Sequence, residues 1–485
     1  MSDTKLAPQP TEEGTGFGLR HALILLALLW AVALNPIVGL LSGNAQAQIA
    51  IHFRTTQIAW FTQAGALVGV FILPFVVKAA GMYGKKRTLV IVTGLGLIGD
   101  LVAAVATDYR TLLIGRSFAG IYGAAAAVAY AAARDVFPRR LVGPASALLA
   151  GSVGIVGVGG PFLSGWLIDT WGFRGALWFM AISTAVCLAI LLAFLPESPV
   201  REAHGRMDWL GGLLLGGGLT AIVYGVGQGS DWGWTSGKFF TFLVGGLVAL
   251  VVFAVVETKV ADPLFPMALL AQRKIWTVLL ATGVAAGALY SVGVVMQLLV
   301  LMPKIPTISD GLGWSATHNA LVTSPVSILV IGAAIATGIL ARRVDARILL
   351  AGGGILTTIG YGLGSQFHHT AAQLIGWGVL SGTGMGMVVS SVPIMVIAAV
   401  SAQDQAKGNG AQVMVQGTVQ VVISQLVFVL MARGGKVMRG TQFYSDSGFR
   451  AGFLLVTACC AVGVLLVLLI PKVKKLDDVE AGQAA

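Results

Sequence analysis

Fourteen apolar stretches, most about twenty residues long, run through this 485-residue chain and are separated by short polar breaks. A helix needs ~20 apolar residues to cross ~30 Å of hydrocarbon, so each stretch can span a bilayer on its own. The spans fall at 21–42, 57–79, 88–107, 110–133, 143–168, 175–195, 209–228, 238–256, 275–301, 318–341, 347–366, 371–399, 410–432 and 450–470. Hydrophobic residues make up 56% of the chain, charged residues 11%, and the mean hydropathy is +0.86. A water-soluble chain could not hide that much apolar surface, so the expected fold class is an all-α integral membrane protein.

The net charge of +11 would suggest nucleic acid or anionic partners in a soluble protein. Its placement points elsewhere. With the N-terminus inside, the inner breaks and tails, from Lys5 and Arg20 to Lys472, Lys474 and Lys475, hold 21 of the cations, and the outer breaks hold nine. That asymmetry places both termini in the cytoplasm and makes the lipid bilayer, not nucleic acid, the partner of the basic residues. The first twenty residues are polar, with Pro8, Pro10, Glu12 and Glu13, and lack the regions of a signal peptide. The first span is therefore expected to be an uncleaved anchor. Cys187, Cys459 and Cys460 fall inside spans and read as small apolar fillers, with no disulfide framework or metal site expected.

Longer polar breaks divide the spans as six, two and six. The expected organisation is a cytoplasmic tail (1–20), an N-terminal six-helix bundle (21–200), a two-helix insert (201–260), a C-terminal six-helix bundle (261–471) and a second cytoplasmic tail (472–485). Two similar bundles are the plan of a transporter whose substrate site lies between them at mid-membrane. The break after span 2 contains Gly81, Gly84, Lys85, Lys86 and Arg87, and the break after span 10 contains Arg342, Arg343, Asp345 and Arg347. Both are short basic turns at matching places in their blocks. Gly65/Gly69 and Gly378/Gly382/Gly386 recur at intervals of four, the spacing of close helix contacts.

Four passages resemble the major facilitator superfamily and, within it, the fourteen-span drug:proton antiporters; the likeness covers roughly residues 20–475. The loop at 78–87 is similar to the family's basic loop between spans 2 and 3, with Gly81 where the family has an acid. The second-half copy has Arg342 where an acid is common. Leu113-Ile-Gly-Arg116-Ser-Phe-Ala-Gly120 resembles the family's buried-arginine motif. Span 5 carries Gly157, Gly159, Gly160, Pro161, Ser164 and Gly165, similar to the glycine-proline motif associated with antiporters, with Ser164 in place of one glycine. Proline after small residues allows a bent, closely packed helix. The passages 195–211 and 227–234 look like the entry to the two extra spans of the fourteen-span branch. The resemblance implies two pseudo-symmetric bundles and export of a small organic compound against protons.

Charges inside the membrane sharpen the reading, since one at mid-bilayer costs ~2.5–3.5 kcal/mol on insertion scales. Asp100 and Arg116 alone lie well inside spans, each eight residues from Asp108 at the tip of the hairpin between spans 3 and 4. Both should sit ~10–12 Å below that tip, at 1.5 Å per residue. They are expected to pair or share a network, with Asp100 as the candidate proton carrier. Relatives often carry an aspartate in span 1, but here the place is Asn35, which hydrogen-bonds without titrating. Gln412, Gln416 and Gln420 share one helix face in span 13, and Gln297 in span 9 is a weaker candidate of the same kind. Such residues line a substrate path or bond between helices. His368 and His369, in an outer loop, read as solvated.

No Walker motif, catalytic triad or Cys/His cluster appears, so neither an enzyme nor a primary pump is expected, and no cofactor or metal. The expected function is proton-coupled efflux of a small apolar or cationic compound across the cytoplasmic membrane by a monomer. The alternatives are a symporter or facilitator for a small metabolite, and, less favoured, a non-transporting sensor or scaffold.

Overall fold

The structure, a computed structural model, describes residues 18–198, 207–260, 263–265, 267–400 and 405–471. Both tails beyond those limits, and Pro199, Arg201, Glu202 and Arg206 of the break after span 6, lie outside the described residues. Among the described residues, thirteen helices are long and apolar enough to cross a membrane. In chain order they begin with α1 (Leu19–Phe53), α2 (Ala59–Tyr83), α3 (Lys85–Val105) and α4 (Tyr109–Val136). The next, Arg139–Phe194, is continuous by hydrogen bonding but broken at Gly172, where φ is 66° and ψ −171°. Its arms are α5 (139–171) and α6 (173–194). Then come α7 (Trp209–Gly227), α8 (Gly237–Glu257), α9 (Arg273–Leu301), α10 (Ala316–Leu340), α11 (Ala346–Gly364), α12 (Ala371–Ala399), α13 (Gln405–Arg433) and α14 (Asp446–Val467). With the two arms counted apart, the thirteen helices make fourteen rods.

In the first block α1 packs along the α5–α6 pair, α3 lies against α4 and the same pair, and α2 crosses α4. In the last block α9 packs on α13 and α14, while α12 lies between α10 and α11. Helices α7 and α8 pair with each other, and α7 rests on α2 and α13. Small residues set these distances. A Cβ on Gly218 would lie 2.9 Å from the Gly246 carbonyl across the α7–α8 crossing, and one on Gly65 would lie 2.9 Å from the Arg116 carbonyl between α2 and α4. In lipid, where apolar helix faces gain little by hiding from their surroundings, such close backbone approach is a main source of association.

Helix α1 departs from the sequence expectation. It continues to Phe53 rather than stopping near 42, and its 35 residues measure ~52 Å at 1.5 Å each. Ser42, Asn44, Gln46 and Gln48 ended the hydropathic signal, yet the first three are buried and all four have protein partners. Asn44 Nδ2 donates to Ser164 Oγ at 2.9 Å, and Gln46 Nε2 to Thr62 Oγ1 at 2.9 Å. Gln48 Oε1 accepts from the backbone N–H of Phe173 at 2.7 Å, beside the break at Gly172. Two small hairpins cap the same end. They are β1 (Lys304–Ile305) with β2 (Ser309–Asp310), and β3 (Lys436–Met438) with β4 (Thr441–Phe443).

The α3–α4 contact offers a direct test of this packing. A Cβ at Gly115 would come within 2.5 Å of the Ala103 nitrogen, whereas one at Gly217 meets nothing within 4 Å. Gly115→Val should lower stability by about 1–3 kcal/mol through overpacking. Gly217→Ala should leave it unchanged or slightly raised. Thermal unfolding of the two variants in one detergent measures both.

Candidate functional site

Asp108 starts the geometry of the buried charges. As the cap of α4 its side chain accepts from Thr111 N at 2.9 Å, which fixes where the hairpin turns, and two hydrogen bonds from Thr111 hold its carboxyl below the usual range. Gly99 and Gly115 then let α3 and α4 approach closely enough for residues on facing sides to touch. Asp100 and Arg116 end up 1% and 6% exposed, with Arg116 Nη1 3.2 Å from Asp100 Oδ1. Thr184 Oγ1 of α6 donates to Asp100 Oδ2 at 2.7 Å, and the Tyr122 hydroxyl reaches Oδ1 at 3.4 Å. Tyr122 lies in a 3-10 turn, Gly120–Ala124, that interrupts α4. Its ring fills the space left by the absent side chain of Gly96.

Arg116 extends the network to two more helices. Its Nη2 donates to Ser42 Oγ of α1 at 3.0 Å, and its guanidinium carbon lies 5.6 Å from the centre of the Phe61 ring of α2. Met180 Sδ of α6 sits 3.5 Å from Nη1, while Nε is buried and has no hydrogen-bond partner among the described residues. One ion pair thus joins α1, α2, α3, α4 and α6. Neutralising either charge would leave its partner uncompensated in a dry interior, so the state of Asp100 is felt on every helix that Arg116 touches. Ser42, Thr184 and Tyr122 were missed in the sequence, where single hydroxyls in apolar spans give no signal.

The basic turn between α2 and α3 is held by acids from elsewhere. Lys85 Nζ pairs with Asp135 at the end of α4, and Ser198 Oγ donates to the same carboxylate at 2.5 Å. Glu197 accepts from the backbone N–H groups of Lys86 and Arg87 at 3.1 and 3.2 Å. That places a carboxylate at the start of α3, where free N–H groups favour negative charge. Gly84, with φ of 107°, has the Glu197 carboxylate where a side chain would stand. Asp135, with Gly81, Lys85 and Arg134, also lines a cavity of about 200 Å³. In the corresponding turn between α10 and α11, Asp345 caps α11 and pairs with Arg347 at 2.7 Å, and Arg347 Nη1 donates to the Ile470 carbonyl at 2.9 Å. Arg342 and Arg343 are exposed. The two turns therefore match in position but not in wiring.

Between the halves, contacts gather at the end bearing the hairpins. Asp169, near the end of α5, accepts from Ala316 N at 2.9 Å and Thr317 N at 2.8 Å, so its carboxylate sits on the start of α10 across the divide. A Cβ at Gly165, one turn earlier, would be 2.8 Å from Thr317 Cα. The Gln297 amide lies over Gly43, and Thr441 Oγ1 donates to the Ala50 carbonyl at 3.2 Å. Midway, Gly154 and Ile331 stand 3.8 Å apart, reckoned from a Cβ on the glycine. Gly143 and Gly151, nearer the basic turns, have no described atom within 4 Å of a Cβ position, and the same holds for Gly157 and Gly159 on the latch side of Gly154. The halves are latched at the end that bears the hairpins.

Other sequence candidates lie on the helices around these contacts. Gly160 packs on Leu40 of α1, Gly157 faces open space, and Pro161 is half-buried in α5. Ser164, the departure from an all-glycine motif, is the buried acceptor of Asn44. Asn35 is exposed while Leu34 and Val38 beside it are buried. Gln412 Nε2 donates to Gln416 Oε1 at 3.1 Å, and the Gln420 carbonyl accepts from Ser291 Oγ at 3.2 Å. The structure brings Asp100 to Arg116 and Gln412 to Gln416. It places Asn35 and Gln297 on separate helices, α1 and α9.

Comparison with known proteins follows the same outline. A family model described as Major Facilitator Superfamily matches residues 22–424 and 294–484. The uridine/deoxyuridine transporter of Lactococcus lactis subsp. cremoris is 29% identical over 373 residues, 73% of this chain and 73% of that protein. Multidrug resistance protein 3 of Bacillus subtilis is 26% identical over 396 residues, 81% of this chain and 74% of that one. Among solved structures, a POT family transporter in complex with 5-aminolevulinic acid superposes with a TM-score of 0.66 at 15% identity, covering 92% of this chain and 95% of that one.

Two experiments follow from the geometry. Asp100→Leu or Arg116→Met alone should destabilise the protein by ~3–5 kcal/mol, and the double variant by less than either, because no uncompensated charge remains. Thermal unfolding of the three variants checks this. Asp169→Ala should free the start of α10, since a hydrogen bond to a charged group contributes ~1.5–3 kcal/mol. The labelling rate of Thr317→Cys by a membrane-impermeant maleimide should then rise about tenfold or more, 1.4 kcal/mol being a factor of ten.

Proposed function

The chain belongs to the Major Facilitator Superfamily, and we propose that it is a fourteen-span secondary transporter exporting a small apolar or cationic organic compound in exchange for protons. The observation that supports the transport reading is the contact of Asp169, near the end of α5, with the start of α10, which joins the first block of helices to the last at the hairpin end. With the basic turns in the cytoplasm, as the charge asymmetry argues, the latch closes the outer end, and the substrate cleft is assigned to the inner side. Alternating access then requires the Asp169 and Gly165 contacts to break while the inner parts of α5 and α10 come together, a rocking motion about the midplane. On this reading both termini are cytoplasmic, the protein sits in the cytoplasmic membrane, and a monomer suffices.

Asp100 is the proposed proton carrier and Arg116 its partner. A proton on Asp100 removes the charge that holds the guanidinium, and Ser42 of α1 becomes the competing partner of Arg116. Helix α1 contacts α2, α4, the α5–α6 pair and α9, so its exposed mid-helix positions Asn35 and Gly39 are assigned to the cleft rather than to lipid. Gln297, Gln416 and Gln420, all half-buried, are assigned to the same path.

A second reading has its own support. The polar lining assigned here is uncharged, which suits a neutral, hydrogen-bonding solute, and a relative at 29% identity is named a uridine/deoxyuridine transporter. Proteoliposomes separate the two. If the first reading is right, an imposed pH gradient drives ethidium movement against proton flux, and Asp100→Asn abolishes the coupling. Uridine uptake with protons, or without them, would favour the second. Unchanged proton-coupled flux in Asp100→Asn would remove Asp100 from the mechanism.

A further inference from the structure

We propose that His368, His369 and Asp446 form a binding site for a borderline divalent metal ion, with zinc the best match, at the latched end of the C-terminal half. His368 and His369 follow α11, and Asp446 opens α14. His368 is not the solvated residue its loop position suggests: it is 1% exposed, against Phe453 at a ring distance of 5.8 Å. His368 Nε2 lies 3.0 Å from Asp446 Oδ1 and His369 Nε2 lies 2.6 Å from the same oxygen. The three donor atoms all fall within 4.8 Å of one another.

The orientation of His368 carries the argument. Its Nδ1 is 2.9 Å from the Gly364 carbonyl, which can only accept, so Nδ1 bears the hydrogen. In the neutral ring Nε2 then presents a lone pair to a carboxylate oxygen that also only accepts. A cation seated among the donors resolves that clash. An imidazole whose other nitrogen donates to a backbone carbonyl is also the usual arrangement of a metal-bound histidine. Donors on a tetrahedral ion at 2.0–2.2 Å stand ~3.3 Å apart, so the His368–Asp446 distance is already close and a swing of the exposed His369 ring adjusts its distances to both partners. Two imidazoles and one carboxylate suit zinc, copper or nickel rather than calcium or magnesium, which prefer all-oxygen sites.

The surroundings are compatible with a cation. The Arg450 guanidinium, one turn further along α14, is engaged by the Gln366 side-chain oxygen at 3.0 Å in the amide orientation that satisfies both groups. The backbone N–H of His369 donates to Gln373 Oε1, and that of Asp446 to Asp310 Oδ2, each at 2.9 Å. A bound ion would therefore staple the α11–α12 turn to the start of α14 and, through Asp310, to the hairpin that precedes α10.

The test uses the full chain without a polyhistidine tag, stripped of metal in detergent and titrated with Co2+. The expected result is the strong visible absorption of tetrahedral Co2+, saturating at one equivalent and displaced by Zn2+. Affinity should fall more than about tenfold in His369→Gln, whose exposed side chain is not needed for folding, and in Asp446→Asn. It should be unchanged in His318→Gln, at the same end of the molecule. Absence of the tetrahedral spectrum overturns the proposal and leaves an imidazolium–carboxylate cluster. A spectrum of equal affinity in His369→Gln and Asp446→Asn overturns it as well.

Discussion

The Asp100–Arg116 pair is the constraint around which the first half of this membrane protein is arranged. Neither charge can remain alone in a dry interior, and burying a pair is repaid only when further polar partners complete it. The chain supplies those partners from four helices: Tyr122 from α4 itself, Thr184 from α6, Ser42 from α1 and the Phe61 face from α2. Each partner fixes the rotation of its helix. The glycines at 96, 99 and 115 serve the same end, since a side chain at any of them would push α3 from α4 or displace Tyr122. The 3-10 turn within α4 falls at the place where Tyr122 has to be aimed.

From that anchored half, the inter-half contacts acquire their direction. Helix α1 carries Ser42 in the ion-pair network and, further along, Asn44, Gln46 and Gln48, which bind α5, α2 and the start of α6. Its far end thus belongs to a rigid cap that also includes the hairpin strands and Asp169. The structure is cross-linked between its halves at the end that bears the hairpins. The Asp169 latch is apt for reversal because it consists of two hydrogen bonds to a helix start, which water can replace when the halves separate.

The two basic turns show how a repeat in sequence can diverge in wiring. The first recruits Asp135 and Glu197 from distant parts of the chain, so that α2, α3, α4 and the end of α6 are tied together. The second closes on itself through Asp345 and Arg347. Gly81 occupies the place of an acid in the family pattern, but it lines the cavity that Asp135 and Lys85 also line. The carboxylates that contact this turn come from α4 and from beyond α6, an arrangement that a local motif cannot reveal.

The sequence by itself determined the helical membrane class, the number and approximate place of the apolar rods, the six-two-six division of its polar breaks, and the two charges that had to be reconciled inside them. These follow from chain-local physics: hydropathy over twenty residues, charge in the breaks, and the 1.5 Å rise that sets Asp100 and Arg116 at equal depth. Only the tertiary structure decided that α1 runs on through Asn44 and Gln48, because polar side chains look like the end of a span until their partners are known. It also decided that Asp169 of one half caps a helix of the other, and that His368 and His369 converge on Asp446, 77 residues beyond the nearer of them. Contacts between residues so far apart depend on how the rods are rotated and stacked, and that is settled by packing rather than by any local pattern.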